Sequence, residues 1–126
     1  MKFSHSFRVS LEDIDEQGHV NNVAYVRWVQ DIAAAHWRSA ASVEMLEKYF
    51  WIVVRHEIDY KKPAFEGEEI TAATWVGEWT RVTCERFTEI SRGPDVLVLG
   101  RTLWCMIDRR TTKPARIESA LIERFS

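Results

Sequence analysis

Cysteine is scarce in this chain. Cys84 and Cys105 are the only two, and they do not form a Cys-x-x-Cys pair. That excludes a disulfide framework and a thiol-based zinc or redox motif, and reads as reduced core thiols in a cytoplasmic protein. His5, His19, His36 and His56 stand at no ligand spacing from a cysteine or from one another, so neither a metal nor any other cofactor is expected. Long apolar runs are also missing. The purest, Val96-Leu97-Val98-Leu99, is far short of the roughly 20 residues that cross a bilayer, and the start Met1-Lys2-Phe3-Ser4-His5 lacks the apolar core of a secretory signal. With 17 Lys and Arg against 19 Asp and Glu, there is no basic excess to suggest nucleic acid as a partner.

What is present suits one domain over residues 1–126, with enough apolar residues (46%) to bury a real core. Loose alternation through Phe3, His5, Phe7 and Val9 predicts a first strand over residues 3–10. Residues 23–41 read as the main helix, with Val26, Val29, Ala33, Trp37 and Ala40 as its apolar stripe. Asn21 or Asn22 supplies the N-cap. Ala33-Ala34-Ala35 keeps the helix slim enough for a sheet to approach closely. Residues 42–50 suggest a shorter second helix.

The rest has the texture of strands: residues 51–60, with Ile52, Val54, His56, Ile58 and Tyr60 on one face, then 70–79, 81–92 and 96–108. Residues 117–125 form a strand end or a short helix. Short connections predict consecutive strands as antiparallel neighbours, and one helix covers one face of the five-stranded sheet. Residues 96–108 are apolar on both faces, which predicts a second subunit over the uncovered face.

The chain changes character between Asp13 and Tyr25. Two aspartates, Gly18, His19, Asn21 and Asn22 crowd the start of the main helix, where backbone amides are unpaired and the dipole is positive. A carboxylate there can activate water or attack an acyl carbon, and free amides can receive charge that develops on a carbonyl oxygen. The plainer account of the same residues is structural: aspartates shaping a turn, Gly18 supplying a positive φ, asparagines capping the helix.

Asp15-x-x-Gly18-His19-Val20-Asn21-Asn22-x-x-Tyr25-x-x-Trp28, followed by Ile58-Asp59-Tyr60-x-x-Pro63-Ala64, resembles the hot-dog-fold thioesterases. The similarity runs over residues 3–108 and is nearest the 4-hydroxybenzoyl-CoA thioesterase-like acyl-CoA hydrolases. It implies an α+β domain, an antiparallel five-stranded sheet wrapped around a long central helix. It also implies Asp15 as nucleophile or general base, and a helix-start amide near Asn22 and Val23 that polarises the thioester carbonyl. Active sites would lie at the interface of a homodimer or dimer of dimers.

Plant acyl-ACP thioesterases are similar over the same loop, where Gln17 replaces their asparagine and His19 is kept. His19 is either an orienting group or a hydrogen-bonded neighbour, and Asp13 is the second carboxylate. Gly18, Asn21, Tyr25 and Trp28 are the expected wall of the substrate site, with Arg81 against the phosphates of the carrier. Acyl-CoA is the expected substrate, with acyl-ACP or a non-catalytic acyl-CoA-binding role as alternatives.

Overall fold

The computed structural model describes residues 2–126. Five strands, β1 (Phe3–Arg8), β2 (Tyr49–Tyr60), β3 (Glu69–Trp79), β4 (Thr83–Arg92) and β5 (Asp95–Asp108), surround helix α1 (Asn22–Ala40). Two short helices, α2 (Val43–Lys48) and α3 (Ser119–Glu123), complete the chain. The segment left open between strand and helix at residues 117–125 is therefore helical at its centre.

All strand pairs are antiparallel, in the order β1-β3-β4-β5-β2. This is the hot-dog arrangement that the resemblance implies. It corrects the expectation that consecutive strands are neighbours throughout. β2 lies on one edge beside β5, so residues 61–68 must cross from that edge to β3. The crossing is fixed at both ends. Lys61 and Lys62 amides donate to Leu97 O, and Ala64 O accepts from Val20 N.

The core side of α1 carries Ala24, Tyr25, Trp28, Val29, Ile32, Ala33 and His36. The expected stripe kept Val29 and Ala33 but missed Trp28 and Ile32, because the large aromatic and aliphatic side chains turn inward and Val26 is only half-buried. Bulges also break the strand parity read from sequence. A register shift between Val53 and Arg55 leaves Ile52 and Val54 exposed while His56 and Ile58 turn towards the helix. Another shift, between Ile90 and Ser91, lets both Leu97 and Val98 be fully buried.

The outer face of the sheet is mixed. Trp75 stacks on Phe87 at 5.9 Å, near Arg101, which bridges Glu57 and Glu85. Among the described residues, no helix is long and apolar enough to cross a membrane.

Candidate active site

The loop before α1 folds as a small hairpin. Ile14 bridges Val20, the Asp15 amide donates to His19 O, and the Gly18 amide donates to Asp15 O. Gly18 closes this turn at φ +86°, in a region that costs other L-residues strain. The turn presents the Asp15 and His19 side chains on one side. Asp15 Oδ1 accepts from the Gln17 amide at 2.9 Å, and Oδ2 lies 3.7 Å from His19 Nδ1. Both side chains remain partly open to water, about a quarter for Asp15 and a third for His19. Within the described residues no lysine or arginine pairs with Asp15.

Asp13 has a different fate. It is buried, and its carboxylate accepts from the Arg27 guanidinium one turn inside α1. Its backbone oxygen takes the Asn21 amide. The second carboxylate of the motif is thus a strut that ties the loop to the helix. Arg27 was not singled out in the sequence; its only local signal was a cation on the helix turn following two aspartates.

Asn21 is the N-cap, its Oδ1 accepting from the Val23 amide at 2.9 Å. The Ala24 amide donates to Asn21 O. Val23 therefore does not offer the free amide expected of it. Among the described residues nothing accepts from the Asn22 N–H, which leaves that amide as the unpaired donor at the helix start.

Asn22 and His19 open onto a groove of about 200 Å³, bounded by Tyr25, Tyr60, Lys61, Lys62 and Pro63. Tyr25 is buried, with its hydroxyl accepting from the Ala64 amide at 3.0 Å and its pKa pushed up by that burial. It is a neutral wall and a clamp on the crossing segment. Lys62 is paired with Asp95 at 3.1 Å. Tyr60, read as the end of a strand and as part of the second motif, forms the far side of the groove together with Lys61 and Lys62, which no site reading included.

Two expected contacts lie elsewhere. Trp28 is packed in the core, edge-on to Phe7 and Tyr25, and does not line the groove. Arg81 sits in the turn after β3, the full length of that strand (roughly 30 Å) from the crossing segment beside the helix start. Within one chain, Arg81 and Asp15 do not share a site. Among the described residues no cluster of His, Cys, Asp and Glu could hold a metal.

The family model of the acyl-ACP thioesterase N-terminal domain matches residues 1–125. The chain belongs to that family. It is also similar to an uncharacterised protein of Mycobacterium tuberculosis, 24% identical over 98% of this chain and 48% of that protein. The chain thus spans about half the length of the curated relatives it matches.

The family's fold recurs in solved structures. A 1,4-dihydroxy-2-naphthoyl-CoA thioesterase from Synechocystis superposes with a TM-score of 0.84 at 18% identity, covering 99% of this chain and 96% of that one. A Staphylococcus aureus protein solved in complex with CoA superposes with a TM-score of 0.86 at 14% identity, covering 98% and 81%. At such identities the likeness establishes the hot-dog fold alone.

Proposed function

We propose that this acyl-ACP thioesterase family member hydrolyses acyl thioesters at the junction between the Asp15 turn and the start of α1. One observation carries the reading: an unpaired helix-start amide and His19 border the same groove, and a water-accessible carboxylate without a Lys or Arg partner, that of Asp15, lies 3.7 Å from that histidine. Asp15 takes a proton from water as the water oxygen bonds to the carbonyl carbon, or attacks that carbon itself to form a mixed anhydride that water then hydrolyses to the free acid. The Asn22 N–H receives the charge that develops on the carbonyl oxygen. The C–S bond then breaks, and the thiol leaves with a proton. His19, within 3.7 Å of Asp15, orients the carboxylate or the attacking water.

Acyl-CoA is the proposed substrate, in keeping with the CoA complex of the Staphylococcus aureus protein. Acyl-ACP is the second reading, which the matched family favours. The working unit is a homodimer, or a dimer of dimers. β2 is a long edge strand exposing Ile52, Val54 and Tyr60, and it ends in the wall of the groove. A partner's strand at that edge would deepen the groove, and the twofold length of the curated relatives leaves room for a pair of such units.

The test is thiol release from short to long aliphatic, benzoyl and phenylacetyl thioesters, presented on CoA and on carrier protein. Asp15→Asn should lower turnover roughly 10²–10⁴-fold while substrate still binds. Turnover that survives the substitution contradicts the role of Asp15. Binding without turnover on either carrier replaces the enzyme with a non-catalytic acyl-CoA binder.

A further inference from the structure

The far half of α1 borders a second cavity, of about 170 Å³, for which the proposed reaction has no evident need. It begins roughly 16 Å along the helix from Asn22. Ala33 and Ala34 leave space on the helix side, and Trp37, Trp51, Trp79 and Phe125 wall it. Such a lining suits an apolar or aromatic body the size of one ring and a short chain.

Two polar groups within it are out of keeping with that lining. Arg86 is 7% exposed, and among the described residues no carboxylate lies within ion-pair distance of it. Its Nη1 donates to His36 Nδ1 at 2.9 Å and to Thr74 Oγ1 at 3.2 Å. His36 accepts there and is neutral, its pKa lowered to about 4 by burial and by the Arg86 charge. The guanidinium is therefore buried with neutral partners only, an arrangement that ordinarily calls for an anion.

The second group is the Trp104 indole N–H, which is buried and has no acceptor. Register places the two together. Arg86 pairs with Thr102 and Cys84 with Trp104, so Arg86 and Trp104 are diagonal neighbours on the inner face of the sheet, and both line the cavity. Two donors lacking an anionic acceptor, set among aromatic rings, describe the complement of a carboxylate attached to an apolar body. Arg109 at the rim is exposed and lies over the Phe50 ring, so it is not the buried cation that lacks a counter-charge.

We propose that this cavity binds a small organic acid, an aromatic or aliphatic body ending in a carboxylate whose oxygens accept from Arg86 and from the Trp104 indole. The carboxylate belongs either to a free acid or to the far end of an acyl chain whose other end is the thioester. Only the second source rests on the hydrolytic reading.

The test titrates 3-phenylpropanoate and 3-phenylpropan-1-ol into the full chain, read by calorimetry and by the fluorescence of the lining tryptophans. The acid should bind roughly ten- to a hundredfold tighter than the alcohol. Arg86→Met should abolish that preference while the alcohol still binds. Trp104→Phe keeps the ring, removes the donor and should weaken the acid several-fold, which keeps the proposal testable should Arg86→Met fail to fold. Equal affinity of acid and alcohol, or no binding of either, overturns it.

A second arm separates the sources by comparing CoA thioesters of a dicarboxylic acid and of the plain acid of equal length. A preference for the carboxylated chain that Arg86→Met removes assigns the carboxylate to the substrate. Tight binding of the free acid without that preference assigns it to a separate ligand. The binding readout needs no turnover, so a failure of hydrolysis and a failure of this site are distinguishable.

Discussion

The two ends of α1 deal with polar groups in opposite ways. At the start, the loop satisfies most of its own polar atoms: Asn21 caps Val23, Arg27 neutralises Asp13, and the Gly18 turn pairs the backbone of Asp15. What remains unpaired there is the Asn22 amide, which borders a groove open to water, while Asp15 keeps its Oδ2 3.7 Å from the groove-lining His19. In the far half, the cation of Arg86 is buried among aromatic rings beside a neutral histidine. Water can reach the first site and deliver a nucleophile. The second surrounds its buried cation with aromatic walls, so a charge there acts over a lower dielectric and selects what enters. Chemistry at one end and recognition at the other are the division of labour that this contrast suggests.

The largest expected effect probes the buried end. An unfolded His36 takes up a proton near its ordinary value of 6.5, whereas the folded one does so only at about 4. Between those values the unfolded state binds more protons. The contribution of His36 to stability is therefore complete above about pH 6.5 and is lost as the pH falls to about 4, a total of roughly 3 kcal/mol. Urea melts at pH 4.5 and 7.5 should show a steeper loss in the wild type than in His36→Asn. Equal slopes would contradict the burial of a neutral histidine against Arg86.

The open end should respond more mildly. Arg27→Met strands the Asp13 carboxylate, but Arg27 is itself half exposed, so the cost should be about 2 kcal/mol rather than that of a fully buried pair. Urea unfolding measures it, and a change below about 0.5 kcal/mol would show that the strut is dispensable. Gly18→Ala forces a left-handed backbone on a residue with a Cβ and should cost roughly 1–2 kcal/mol, whereas Gly18→Asn should cost less. Equal melts for the two variants would contradict the turn as its driving constraint. Smallest is Asn21→Ala, at about 1 kcal/mol from the lost cap, read as a lowered midpoint with an unchanged m-value.

The same contrast decides what could be read in the sequence. The junction is local: its turn glycine, its cap and its carboxylates lie within a dozen residues, and the helix begins within a residue of its expected start. Turn and cap chemistry acts between near neighbours, so the order of residues displays it. The aromatic cavity is assembled from α1, β2, β3, β4, β5 and the C-terminal segment. Arg86 lies in the strand expected over residues 81–92, and no local signal marks it; only the β4–β5 register sets it beside Trp104.

Bulges defeated the parity argument in the same way. Ile52 and Val54 were placed with His56 and Ile58, but an extra residue at Val53–Arg55 exchanges the faces. The β2 crossover depends on which edge a strand joins, a choice that the local pattern of residues 51–60 does not contain. Arg81 shows the remaining difficulty. A hairpin cation was legible, but not that the sheet would carry it to the end opposite Asp15.

One measurement tests the division of labour most directly: thiol release and 3-phenylpropanoate affinity on the same preparation of Asp15→Asn. The account predicts turnover lowered at least 100-fold from wild type, with the affinity for the acid unchanged. Turnover close to wild type, or an affinity that falls along with turnover in a variant that melts normally, would contradict it.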